Sequence, residues 1–204
     1  STLARCDDGI AEAEAVVQRL RTMEAANPEL SWGDMAVLYR TNAQSRSIEE
    51  SLVRWGIPYI VVGGLRFYDR REIKDLLAYL RLLVNPADTV SLLRVINVPK
   101  RGIGKTTIQR LTDAANQLGI PLWDVVSDAE AVRSLGGRSA RGLLQFCELL
   151  HDLRRQVQEV APSELIQQVM EKSGYVSELI AEGTDEAEER RRNLQELVNA
   201  ALQY

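Results

Sequence analysis

The period of the apolar residues changes once along this chain, at the glycine pair Gly63-Gly64, and that change limits what it can fold into. Before the pair, helical stripes alternate with short apolar runs. Residues 9–26 place Ile10, Ala13, Val16, Val17, Leu20 and Met23 on one helix face, and Asn27-Pro28 ends the helix. Met35-Ala36-Val37-Leu38-Tyr39 reads as a short buried strand. Thr41 or Asn42 can cap a second helix over 43–55, with Ile48, Leu52 and Trp55 facing inward and Gly56 stopping it. Pro58-Tyr59-Ile60-Val61-Val62 reads as a second strand. An α-β-α-β order specifies a piece of a parallel α/β sheet. Two strands do not make a stable sheet alone, so residues 1–64 read as part of a larger domain.

After Gly64 only helical periods follow. Asp69 with Glu72 makes a capping box for a helix over 70–84, whose inward face is Ile73, Leu76, Leu77, Leu80 and Leu83 and which ends at Asn85-Pro86. Further helices are predicted over 89–97, 105–118, 138–159, 163–172 and 185–203, punctuated by Pro121, Gly136-Gly137, Pro162 and Gly174. In the last one, Glu186 with Arg190 and Glu188 with Arg192 form favourable pairs one turn apart. The predicted fold class is therefore mixed α/β and mostly α: a partial parallel α/β piece, then an all-helical part.

The densest chemistry lies at Asn97-Val98-Pro99-Lys100-Arg101-Gly102-Ile103-Gly104-Lys105-Thr106-Thr107. Gly104-Lys105-Thr106 resembles the tail of a phosphate-binding P-loop. That loop needs a glycine where this chain has Pro99, and a strand leading in, whereas 92, 93 and 96 follow a helical period. The segment reads instead as helix, tight Gly-x-Gly hairpin, helix. The glycines let backbone approach a ligand closely. The next helix opens with free N–H groups suited to phosphate. Lys100, Arg101, Gly102, Gly104, Lys105, Thr106 and Thr107 are thus candidates for holding a nucleic-acid backbone. A plain helix corner with solvated lysines is the alternative.

The net charge of −4 alone argues against nucleic acid, but its distribution does not. Residues 1–35 carry −4, residues 36–110 carry +7 and residues 111–204 carry −7. A basic block inside an acidic chain fits one face meeting phosphate, or a chance cluster on solvated helices. A second candidate is the strand end Tyr39-Arg40-Thr41-Asn42, because the C-terminal edges of parallel strands face ligand crevices. Arg40 can pair with phosphate or stack on a base, and Asn42 can hydrogen-bond phosphate or sugar. Equally, Asn42 can serve only as a helix cap while Arg40 pairs with Glu49 or Glu50.

Catalytic and metal chemistry is not predicted. His151 has no partnered nucleophile or ligand, and Cys6 and Cys147 lack metal-ligand spacing, reading as reduced thiols. No apolar run approaches the roughly 18 residues that span a bilayer, and no membrane partner is expected. The first residues lack an apolar signal core and an initiator methionine, the expectation for an excised fragment.

Four blocks carry a family resemblance. Ala36-Val37-Leu38-Tyr39-Arg40-Thr41-Asn42-Ala43-Gln44-Ser45-Arg46 resembles a signature of the superfamily-one DNA helicases of the UvrD/PcrA/Rep type. So do Gly63-Gly64-Leu65-Arg66-Phe67-Tyr68-Asp69-Arg70-Arg71-Glu72-Ile73-Lys74-Asp75, Ile96-Asn97-Val98-Pro99-Lys100-Arg101-Gly102-Ile103-Gly104 and, more loosely, Arg192-Asn193-Leu194-Gln195-Glu196-Leu197. The blocks stand in family order, with the PcrA-like branch as the nearest likeness.

The resemblance implies that residues 1–66 belong to a RecA-like second motor domain, 2A. Residues 67–204 would be most of its helical insertion, 2B, with a helix-hairpin-helix element. It implies single-stranded DNA contact at Arg40 and Asn42, and duplex-backbone contact by the hairpin. The whole protein would be an ATP-dependent 3′-to-5′ DNA helicase using ATP and Mg2+, in the bacterial cytoplasm at the nucleoid. Its partners would be a duplex–single-strand junction, the rest of the motor, and repair or replication proteins. The family's Walker A loop and Asp-Glu pair have no match here, so this chain is expected to hold no cofactor and not to hydrolyse ATP. Two further readings stand beside this one: a regulatory or protein-interaction module that restrains the motor, and a related helicase–nuclease.

Overall fold

The structure, a computed structural model, describes residues 5–62 and 64–202. Gly63, read above as half of a glycine pair, residues 1–4, and residue 203 of the last predicted helix lie outside the described residues. The chain divides between Arg70 and Arg71 into two compact units. Among the described residues it is mostly helical, and no strand ladder forms.

The first unit holds α1 (Gly9–Ala26) and α2 (Ser45–Arg54). Asp8 starts α1 by accepting from the N–H groups of Ile10 (2.9 Å) and Ala11 (2.8 Å). Val17, Leu52 and Ile57 form a small core, with Leu20, Trp32, Ile48 and Tyr59 packed against it. Glu14 of α1 ties the two helices by accepting from Ser51 Oγ (3.2 Å), an Arg54 guanidinium nitrogen (2.6 Å) and Trp55 Nε1 (3.0 Å). The Trp55 hydrogen bond in particular holds the Glu14 carboxyl below its usual range.

The two stretches predicted as strands, 35–39 and 58–62, are corrected here: neither forms a ladder. Their burial still alternates residue by residue, with Met35, Val37 and Tyr39 and then Ile57, Tyr59 and Val61 turned in. Leu38 (94% exposed), Ile60 (83%) and Val62 (85%) are turned out. That is the two-residue period of extended chain lying on helices. A ladder needs backbone partners alongside, and the described residues bring none to these stretches.

The second unit is a helical cluster: α3 (Arg71–Val84), α4 (Thr89–Val95), α5 (Lys105–Leu118), α6 (Leu122–Ser127), α7 (Ala129–Leu135), α8 (Ala140–Gln156), α9 (Pro162–Lys172), α10 (Tyr175–Glu182) and α11 (Asp185–Ala201). Tyr79, Leu82, Leu92, Leu111, Leu143, Phe146 and Leu194 lie at its centre, almost wholly buried. Each such side chain contributes about 1.5–3 kcal/mol by leaving water. Two polar locks cross this core. Asp75, 2% exposed, accepts from Arg94 Nε (2.8 Å) and from the Tyr175 hydroxyl (2.9 Å). Asn193 of α11 donates to Glu72 of α3 (2.7 Å). Glu72, read above as half of a capping box, therefore spends its carboxylate across the core. The Arg190 guanidinium pairs with Glu182 (2.6 Å) instead of the predicted Glu186, while Arg192 lies 3.8 Å from Glu188, as predicted.

Candidate nucleic-acid interface

In the second unit, α4 leads into a turn over 96–104 and α5 leads out. Gly102 sits at φ +71° and Gly104 caps α5 without a side chain. Asn97 shapes the turn: its Oδ1 accepts from the N–H groups of Arg101 (2.8 Å) and Ile103 (3.1 Å). Ile103 is buried beneath, while Lys100, Gly102, Gly104, Lys105 and Thr106 are exposed above. Thr107 N–H is satisfied by the Gly104 carbonyl (3.1 Å). The Lys105 and Thr106 N–H groups, one turn earlier than any intrahelical partner, point out of the helix end with no side-chain cap. The exposed rim thus combines a positive helix end, two lysines and bare backbone, a surface suited to an anion.

Two predicted contacts have other posts. The Arg101 guanidinium is turned inward. It donates to the carbonyls of Val95 (3.3 Å), Pro99 (3.0 Å) and Ser173 (3.1 Å) and to the Tyr79 hydroxyl (2.7 Å). It also lies 5.3 Å from the centre of the Phe146 ring. The Tyr79 hydroxyl in turn donates to the Val98 carbonyl. Burial pushes the Tyr79 phenol up to about 12, against the opposing pull of Arg101. Thr107 is buried, with its hydroxyl 3.2 Å from Ser139 Oγ. Both side chains brace the turn from behind, the half-buried Arg101 through its guanidinium and Thr107 through its hydroxyl. An arginine in a basic run reads as a surface residue; no spacing rule announces that a tyrosine 22 positions earlier receives it.

Gly142 of α8 carries a signal that sequence reading missed. A Cβ there would overlap the Arg101 carbonyl oxygen. The turn can dock on α8 only because that position is a glycine.

In the first unit, Arg40 and Asn42 are both exposed, Asn42 opening the tight turn Asn42–Gln44 and Arg40 standing just before it. Gln44 Oε1 accepts from the N–H groups of Arg40 (3.1 Å) and Thr41 (3.0 Å). Arg70, unassigned by sequence, braces the turn from within, donating to the Asn42 carbonyl (2.9 Å) and Ser45 Oγ (2.7 Å). Neither acid proposed as a partner for Arg40 takes it. Glu49 accepts from Tyr59 and from the Phe67 N–H, and Glu50 binds Arg46 and Tyr68.

Nucleotide chemistry has no footing at the glycine turn, since Pro99 and helix α4 stand where a phosphate loop needs a glycine and a strand. Among the described residues no group of three or more His, Cys, Asp and Glu could hold a metal, and no helix is long and apolar enough to cross a membrane. His151 is exposed beside the Trp123 ring, and the Cys147 thiol, pushed up to about 12 by burial, donates to the Val126 carbonyl (3.0 Å).

One unit is a helical cluster with a cationic glycine turn, and the other joins two helices to two extended stretches that form no ladder among the described residues. Residues 2–204 match the family described as the UvrD-like helicase C-terminal domain, and the chain belongs to that family. Among its relatives is the ATP-dependent DNA helicase PcrA of Leuconostoc citreum, 38% identical over 193 residues, which are 95% of this chain and 26% of that protein. The proteins of the same name from Staphylococcus aureus strain Mu50 and Staphylococcus epidermidis strain ATCC 35984 are each 39% identical over the same shares. The chain spans about a quarter of the length of these relatives.

Proposed function

We propose that this chain is the DNA-gripping part of an ATP-dependent 3′-to-5′ DNA helicase. Residues 1–66 would be part of motor domain 2A and residues 67–204 most of its helical insertion, 2B. Family membership supports this, as do the relatives' names. The alternating exposure at 35–39 and 57–62 supports a partial RecA-like parallel α/β piece, whose outward residues would meet strands elsewhere in the longer protein.

In this reading α4, the glycine turn and α5 form a helix-hairpin-helix element on the duplex backbone. Lys100, Lys105 and Thr106 and the backbone at Gly102 and Gly104 make the contact. Arg101 and Thr107 hold it in shape. The contact is to phosphates and reads no sequence. Arg40 and Asn42 grip the single strand. ATP and Mg2+ bind elsewhere in the longer protein, which works at the bacterial nucleoid with the rest of the motor and with repair or replication proteins. The observation that carries this reading is the exposed N–H groups and lysines at the α5 start, backed by a buried network.

Fluorescence anisotropy of the chain with labelled duplex, single strand and 3′-tailed duplex at two salt concentrations tests it. Salt-sensitive binding that favours duplex-containing DNA is expected. Equal, salt-insensitive binding to all three would reject it. The acidic stretch 111–204 favours a second reading, a regulatory arm that restrains the motor. That reading expects weak DNA binding here and faster unwinding once the insertion is deleted from the whole enzyme.

A further inference from the structure

The glycine turn is held from behind. Ser139 Oγ donates to the Gly102 carbonyl (2.8 Å), and Asn97 takes the Arg101 and Ile103 N–H groups. On the rim, one backbone donor already has an acid on it: the Lys100 N–H donates to Glu178 Oε1 at 3.4 Å. Glu178 stands in the first turn of α10, where its charge also suits that helix's own dipole. Its side chain is exposed, and its carboxylate makes no other hydrogen bond among the described residues. The helix that carries it is anchored to the turn. The Arg101 guanidinium donates to the Ser173 carbonyl (3.1 Å), just before Gly174 at φ +83° leads the chain into α10. The fold thus keeps a carboxylate at the surface where Lys100, Lys105 and the open N–H groups of α5 would otherwise meet an anion unopposed.

We infer that Glu178 is an internal stand-in for phosphate: its carboxylate occupies the Lys100 N–H in the free protein and is displaced when a duplex phosphate arrives. The inference rests on the reading of the turn as a duplex contact and adds the residue that limits its affinity. The 3.4 Å bond is longer than the usual range of about 2.7–3.2 Å, so a closer oxygen displaces it. A phosphate oxygen on the same N–H would lie against that carboxylate, and like charges about 4 Å apart repel even in water. A phosphate here must overcome Glu178, so the turn holds duplex more weakly and sheds it more readily.

The test measures anisotropy of the 204-residue chain with a labelled duplex, and follows the Lys100 amide by nuclear magnetic resonance on 15N-labelled protein. Glu178→Ala is expected to tighten duplex binding about fivefold, the worth of one such repulsion, and to shift the Lys100 amide before any DNA is added. The control is Glu159→Gln, which removes one charge from an exposed site beyond the far end of α8. That helix starts at the turn and runs 17 residues, about 25 Å, well past the Debye length. The control should change affinity by less than about twofold. Equal tightening by both variants, or tightening without a shift of the Lys100 amide, would overturn the inference. If Glu178→Ala binds no tighter while Lys100→Ala with Lys105→Ala weakens binding, the stand-in is wrong and the glycine-turn reading stands. If the lysine pair has no effect either, or neither the unaltered chain nor Glu178→Ala binds duplex, both fall together.

Discussion

Arg101 shows how position in a motif and role in a structure can part. Its neighbours Lys100 and Lys105 point to solvent, yet its own guanidinium is spent on three carbonyls and a phenol. Removing it would take a charged donor from each of those acceptors, although the Val95 carbonyl keeps the Val98 N–H (3.0 Å), and hydrogen bonds to charged groups are worth about 1.5–3 kcal/mol. Arg101→Ala should therefore lower stability by about 2–3 kcal/mol in urea unfolding, whereas Lys100→Ala should stay within about 0.5 kcal/mol. The DNA salt slope separates the roles a second way. Arg101→Lys should weaken duplex binding with no change of slope, and a slope reduced by one phosphate's worth would return Arg101 to the contact surface. Tyr79 gives the same network a pH signature. Burial raises its phenol from 10.0 to about 12. The folded state thus holds the proton more tightly than the unfolded one. The stability this brings is complete below pH 10 and is lost as pH rises from 10 through 12. Phenolate absorbance should show the Tyr79 step coinciding with unfolding, and Tyr79→Phe should make the stability curve flatter over that window.

Elements differ in how much of them the chain's own pattern discloses. Long amphipathic helices were legible: α1, α5, α9 and most of α3, α8 and α11 fall where apolar spacing and Gly or Pro punctuation put them. The short α6, α7 and α10 were not, since six to eight residues give too few turns for a stripe to stand out. The extended stretches read as buried strands because their apolar residues run on without a break, yet Leu38, Ile60 and Val62 are exposed and nothing among the described residues covers them. At the candidate site the exposed rim was readable from charge and glycine. The supports were not, because Tyr79, Asn97 and the pair Ser139 and Gly142 come from three different segments that only folding brings together. Gly142→Ala tests the element-level claim. Its Cβ would displace the Arg101 carbonyl, and a backbone clash of this kind costs typically about 1–3 kcal/mol. Duplex affinity should fall although no charge changes; intact affinity would show that α8 and the turn are not docked as described.

For the whole molecule, the two units differ in how well each is finished. The second buries a continuous core with its polar locks inside. The first has a small core and leaves Leu38, Ile60 and Val62 bare beside unpaired backbone. Such an edge recruits a strand from another chain. Light scattering on a size-exclusion column should show concentration-dependent self-association that Leu38→Lys with Ile60→Lys suppresses; a strict monomer at high concentration would show that the bare face is tolerated. The finished state of the second unit has a thermodynamic consequence for the glycine turn. Asn97, Arg101 and Ser139 already fix its backbone in the free protein, so a ligand there meets a preorganised surface and bears little ordering entropy. Calorimetry of duplex binding should then be dominated by the release of salt ions, with only a small heat-capacity change.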